Sequence, residues 1–411
     1  MSDAPYKIAA GIIPLLDSAL LVVAKEKGFA ETEGVELTLI RESSWANIRD
    51  RLAVGHFQVA QMLAPMPIAC NLGLTPIGSH TIAPMALGLG GNAVTVSKRL
   101  WTEMAEQGAP DGLDPRAAGA ALKAVIGQRP ARDGKLRFGV VHPYSGHNYE
   151  LRYWLAACGV HPDRDVEILI LPPPLMADAL AAGTIDGYCV GEPWNTAAVI
   201  SGSGRIVTVK SAIWRSSPEK VLGARSQWAE QNPDALAALL RAIYHAAEWC
   251  AVPDNRQELA RFLAETAYVD RPAAWMMPSL TGEIATGSGE TIEVADFFLT
   301  HDKAATFPWK SHALWFYSQM VRWGQVPHSA ENAEIALQTY RPDLYRAALK
   351  PVGVALPGAN SKVEGALQAA TPVGSAGASL TLGPDGFFDG SLFDPDELDA
   401  YVAAQASRPG D

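Results

Sequence analysis

Residues 7–41 spell out a complete strand–helix–strand unit, and a chain that opens this way is committed to a layered α/β fold. Lys7 to Pro14 is a short apolar run closed by proline. Asp17 or Ser18 can cap the helix that follows, its side-chain oxygen accepting from an orphan N–H of the first turn. Leu20, Leu21, Val23 and Ala24 give that helix a buried face, and Gly28 falls where a left-handed C-terminal cap is wanted. Val35, Leu37 and Leu39 then alternate with Glu36 and Thr38, the period of a half-buried strand. The first apolar segments thus belong to this unit rather than to an export leader. With Met1 as the natural start, the expected location is the cytoplasm.

The same rhythm runs on. A helix near Ser44 to Val54 leads into a strand at Phe57 to Leu63, and Pro65 and Pro67 bracket a turn. Ala93 to Ser97 reads as a strand crossing into a second lobe, and Gln107 to Arg116 as a Gly/Pro/Asp-rich surface loop. A second block follows: strand Leu136 to Val141, helix His147 to Ala157, strand Val166 to Leu171 and helix Leu175 to Ala182. Strand Gly187 to Val190, a helix from Glu192 and strand Arg205 to Val209 complete it. Lys220 to Arg225 is expected to return to the first lobe. From Pro233 to about Leu349 the pattern is mainly helical and rich in aromatics; beyond Lys350 Gly, Pro and Ser dominate, before a short helix near Glu397. The expected fold is α/β, with lobe 1 made of residues 1–95 plus 221–411 and lobe 2 of residues 96–220. Between two such lobes, strand carboxyl ends and helix N-termini face a shared cleft, a setting that favours anions.

Composition narrows the function. The 411 residues are 48% hydrophobic and 19% charged, enough for two or three domains, and no run approaches the roughly 20 apolar residues that span a bilayer. A net charge of −11 argues against direct nucleic-acid or anionic-membrane binding. It leaves room for a small anion, because one lysine and several N–H donors outweigh a distant diffuse field. Cys70, Cys158, Cys189 and Cys250 are widely spaced, which points to reduced buried thiols rather than disulfides or a metal site. No phosphate loop, nucleophile elbow or H-E-x-x-H motif occurs, so no enzyme constellation and no cofactor are expected.

Four residues stand where a cleft would be. His147 opens a helix after the small-residue loop Ser145-Gly146 and can offer an imidazole N–H, though it can equally cap its own helix. Trp45 opens the helix after the second strand; ordinary core packing explains it as well. Asn92, beside Gly90 and Gly91, offers an amide or serves as a turn residue. Lys220 precedes a strand in Ser216-Ser217-Pro218-Glu219-Lys220, and most lysines in such places are solvated. Glu192 at a helix start is accounted for by the helix dipole, Tyr153 and Trp154 by core packing. The acidic run Asp385 to Asp399 lacks the alternate-position spacing of a calcium loop and reads as solvated turns with a helix cap.

Jointly these motifs resemble a known family. Ser44-Trp45 through Arg49-Asp50, the Ala64-Pro65-Met66-Pro67 turn, Gly146-His147 through Arg152, Glu192-Pro193-Trp194-Asn195 and Pro218-Glu219-Lys220 resemble the nitrate- and bicarbonate-binding proteins of ABC transporters. So do Phe307 through His312 and Trp315, Arg322-Trp323-Gly324, and Phe387 through Pro395. The resemblance implies a two-lobed type II periplasmic-binding-protein fold with a hinge and extra C-terminal helices. It places nitrate or nitrite on Trp45, Asn92, His147 and Lys220, with asparagine standing where the family more usually has glutamine. Bicarbonate-binding relatives carry an acid at the lysine position and use calcium, so Lys220 implies an anion site without metal. The opening without a leader resembles the cytoplasmic NasS-type nitrate/nitrite sensors. Their ligand-free form holds an antiterminator with an RNA-binding ANTAR domain. The alternatives are an exported binding protein of a nitrate ABC transporter, and an enzyme like the thiamine-precursor synthases, whose cysteine-rich motif is missing here.

Overall fold

The computed structural model describes residues 4–406. Ten strands build two sheets: β1 (Tyr6–Ile12), β2 (Val35–Arg41), β3 (Val59–Leu63), β4 (Thr81–Ala86), β5 (Asn92–Ser97), β6 (Leu136–Val140), β7 (Val166–Ile170), β8 (Gly187–Gly191), β9 (Gly204–Val209) and β10 (Lys220–Arg225). The first sheet has the order β2-β1-β3-β10-β4 and the second β9-β5-β8-β6-β7. β1 runs parallel to β2 and β3, while β10 is antiparallel to β3 and β4. In the second sheet β6 is parallel to β7 and β8, and β5 is antiparallel to β8 and β9. The antiparallel members have a simple cause. β5 and β10 enter their sheets from the junction, against strands whose carboxyl ends point towards it. Lys220 at the start of β10 therefore pairs with Leu63 at the end of β3, and Asn92 at the start of β5 pairs with Gly191 at the end of β8.

Local signals explain most boundaries. Gly28 takes φ +73°, as its cap position requires. β2 buries Val35 and Leu37 and exposes Glu36 and Thr38. Some elements were hidden. β4 is buried at every residue and shows no alternation, and the helix Pro115–Gln128 is built on Ala and Gly, which blur its periodicity. Asp114 caps that helix through its carboxylate, which accepts from Arg116 N at 2.8 Å. Short strands at Glu283–Ala285, Thr291–Glu293 and Phe298–Leu299 interrupt a stretch expected to be mainly helical. The four thiols are unpaired; Cys70, Cys189 and Cys250 are buried and Cys158 is half-buried. No single helix among the described residues is long and apolar enough to cross a membrane.

The C-terminal third joins the two sheets' layers. In the helix Lys310–Arg322, Trp315 and Phe316 meet Tyr153 and Tyr149 with ring centroids 6.0 and 6.2 Å apart. The tail then lies against the second block: Phe387 stacks on Trp214 at 4.7 Å, Phe388 N donates to Ile213 O at 2.9 Å, and Tyr153 Oη donates to Asp389 Oδ1 at 2.8 Å. Its base is held elsewhere, where Ser311 Oγ donates to Glu364 Oε1 at 2.6 Å and Lys362 Nζ bonds Asp385 at 2.5 Å. The acidic run is therefore not wholly solvated. Asp385 is 1% exposed because it pairs with the half-buried Lys362, whose charge keeps the carboxylate inside.

Close packing between β1 and the helix Trp45–Ala53 depends on Gly11. A side chain there would meet the Phe57 ring at 2.6 Å and Ile48 Cδ1 at 2.9 Å. Gly11→Ala is expected to destabilise the protein by about 1–3 kcal/mol, read as a lower urea midpoint with an unchanged m-value.

Candidate functional site

Each of the four sequence candidates occupies the first or second residue of an element at the junction. Ser44 caps the helix that begins with Trp45, its hydroxyl accepting from Asn47 N at 3.2 Å. Ser145 does the same for the helix Gly146–Ala157, accepting from Asn148 N at 3.0 Å, so His147 is released from any capping duty. Asn92 is a strand residue rather than a turn residue, and Lys220 heads its strand wholly out of solvent. Trp45 is 1% exposed; Asn92, His147 and Lys220 are 0%. Trp45 Nε1, both side-chain polar atoms of Asn92 and both ring nitrogens of His147 are buried without a hydrogen-bond partner.

Lys220 is the centre. Its ammonium lies 5.4 Å from the centroid of the Trp45 ring, 2.7 Å from Asp17 Oδ2 and 2.6 Å from Glu219 Oε1. An ammonium has three donors, and these carboxylates account for two. His147 Nδ1 stands 3.4 Å from the same Glu219 oxygen. Asn92 reaches the cluster from the other crossing: a side chain on Gly191 would meet Asn92 Oδ1 at 3.2 Å and Asp17 Oδ2 at 3.4 Å. The structure thus brings all four together around two carboxylates.

Sequence reasoning assigned Asp17 a different job. Ser18 takes the cap position without a side-chain cap bond, and its hydroxyl donates to Leu15 O at 2.8 Å. Asp17 instead turns inward, paired with Lys220 and with the amide of Gln61, whose own oxygen accepts from Ile13 N at 2.8 Å. A buried lysine outbids a helix end for a carboxylate, because an unpaired buried charge costs more than a lost cap. Behind Glu219 stand Lys210 and Glu150, also unforeseen. Lys210 Nζ contacts Glu219 Oε2, lies 2.8 Å from Glu150 Oε1 and donates to Pro218 O at 2.7 Å. Glu150 follows His147 by three residues on one helix face, the spacing that could have revealed it. Gly146 is required here, since a side chain would meet Glu219 Oε2 at 2.5 Å.

Burial and neighbouring charge set the protonation states. Burial lowers His147 to about 3, with Glu219 opposing and Lys220 and Lys210 adding to it, so the imidazole is neutral. Burial also raises Asp17, against the pull of Lys220. It would raise Glu219 too, but the ammonium groups of Lys210 and Lys220 hold that carboxyl well below its ordinary value. A neutral imidazole, an indole, an amide and one ammonium around a water-poor junction can hold a small anion by N–H donation. A hollow of about 520 Å³ on the second block is lined by Lys98, Arg99, Lys135 and Arg137. It is a poorer anion site, because the Arg99 and Arg137 side chains are 55% and 39% exposed and water screens their charge.

The chain as a whole has known relatives. The NMT1-like family model matches residues 3–264. The nitrate/nitrite binding protein NrtA of Synechococcus elongatus is 33% identical over 97% of this chain and 86% of its own length. The nitrate import ATP-binding protein NrtC of Synechocystis is 38% identical over 84% of this chain, which spans 50% of that protein. The crystal structure of the periplasmic nitrate-binding protein NrtA from Synechocystis superposes with a TM-score of 0.85 at 28% identity, covering 98% of this chain and 100% of that one. Matched by the family model over more than half its length, and by NrtA almost from end to end, the chain belongs to the NMT1-like family.

Proposed function

We propose that this protein binds nitrate or nitrite at the junction of its two sheets, on Trp45, Asn92, His147 and Lys220. The observation that carries the reading is the set of buried nitrogens without partners around a buried ammonium. An unsatisfied buried polar group costs about 1–3 kcal/mol, and several such groups converging on one cation are accounted for by an absent acceptor. Nitrate and nitrite fit that role. Both are flat monoanions whose oxygens accept in-plane N–H bonds, and nitrate's open faces suit the indole wall. The NrtA relatives, named for nitrate binding, support the choice of ligand.

At the finer level we propose a cytoplasmic sensor. The anion draws the lobes together, and an ANTAR-domain antiterminator that holds the open form is released. A ligand shifts such an equilibrium only by its differential affinity for the two states. Contacts drawn from both sheets supply one: His147 follows β6, whereas Trp45 and Lys220 belong to the first sheet's side. Delivery to a nitrate ABC transporter is the other destination for the same closure. A complex of protein and antiterminator that falls apart on adding nitrate supports the sensor; one that never forms, or ignores the ion, leaves the transporter reading.

Two measurements bear on the site itself. Lys220→Glu is expected to abolish the calorimetric response to nitrate, and unchanged affinity would remove Lys220 from the site. For His147, the unfolded chain takes a proton near its ordinary 6.5, whereas the folded imidazole refuses one until about 3. Its contribution to stability is therefore present above about pH 6.5 and is lost as pH falls through that window, by up to about 1.4 kcal/mol per pH unit. The difference in unfolding free energy between wild type and His147→Asn should shrink accordingly on acidification.

A further inference from the structure

Three carboxylates and two ammonium groups share one buried cluster: Asp17, Glu150 and Glu219 with Lys210 and Lys220, none more than 4% exposed. They alternate in sign along one line. Glu150 Oε1 lies 2.8 Å from Lys210 Nζ, Lys210 contacts Glu219 Oε2, Glu219 Oε1 lies 2.6 Å from Lys220 Nζ, and Lys220 lies 2.7 Å from Asp17 Oδ2. A line that begins and ends on a carboxylate holds one uncompensated negative charge when every member is ionised. An anion seated at Lys220 adds a second, where little water is present to screen it.

The ends of the line differ. Asp17 receives the Gln61 amide as well as Lys220, and Glu219 faces both ammonium groups. Glu150 faces Lys210 alone at contact distance, and no hydrogen bond of ideal geometry reaches either of its oxygens. It is the member best able to surrender its charge. We propose that the site takes up its anion together with a proton, and that Glu150 carries that proton.

The surroundings agree. Burial pushes the Glu150 carboxyl up to about 8, against the pull of Lys210 and with the help of Glu219. The other titratable groups facing the cluster are His147 on the same helix, Cys189 on β8 and Tyr340 beside Glu219. Burial keeps His147 deprotonated at neutral pH and keeps the Cys189 thiol and Tyr340 phenol protonated, so none of these exchanges a proton near neutrality. Below about pH 7 Glu150 already holds the proton and binding is proton-neutral. Above about pH 8 the anion must bring one with it.

This inference rests on the anion reading, and the test separates the two. Nitrate is titrated calorimetrically into the intact protein from about pH 6 to about pH 9, in pairs of buffers with different ionisation enthalpies. Proton uptake should be near zero at the acid end and approach one per nitrate at the alkaline end. Affinity there should fall towards about tenfold per pH unit. Glu150→Gln should bind with no uptake and a flat profile. Nitrate binding with no uptake at about pH 9 overturns the inference and leaves the anion site standing, as does wild-type uptake in Glu150→Gln. The absence of any nitrate heat across the range overturns both.

Discussion

Removing an ammonium group from water costs several kcal/mol unless carboxylates meet it, and the environment of Lys220 follows from that requirement. Asp17 is drawn off the start of the first helix to pair with it, and Glu219 turns inward beside it. Glu219 in turn needs Lys210, and Lys210 needs Glu150. Each step moves the same electrostatic demand further into the protein. The line reaches from residues of the first sheet to the helix that follows β6 of the second, so one buried charge ties the two halves together.

The same principle explains what is left open. Carboxylates occupy two of the lysine's three donor directions. The aromatic face of Trp45, the amide of Asn92 and the imidazole of His147 bring no charge of their own to the rest. A site of this kind is saturated with compensating ions on one side and with unused neutral donors on the other. Such an asymmetry suits a ligand that is negative overall and accepts hydrogen bonds all round its edge.

Much of this was legible beforehand, and the failures have physical causes. Alternation gave β2, the helix start after that strand gave Trp45 its place, and the small-residue loop before a helix gave His147 its own. β4 was invisible because a strand buried on both faces shows no period, and the helix Pro115–Gln128 because alanine fits either face. Of the site, the residues that present N–H groups stood out by type and position. Those that tune them did not: Asp17 looked like a cap and Glu150 drew no reading of its own, since the partner of each lies far away in sequence. Long-range pairing of charge is the part that a linear pattern cannot carry. Asp385 repeats the lesson, an acid in a polar run that a distant lysine holds inside.

Two covalent crossings, near residues 87–91 and 210–219, connect the sheets, as in a simple hinge. The tail adds a tether of another kind. It is fastened near Ser311 by Glu364 and laid against Trp214, Ile213 and Tyr153 by Phe387, Phe388 and Asp389. Rotation about the crossings must therefore either peel this strip from one partner or carry the strip and the helix Lys310–Arg322 along with the second block. In the first case the span of the mouth is set by how many aromatic contacts break at once. In the second, the moving body is larger than the second sheet with its own helices, and its pivot shifts towards the chain's end.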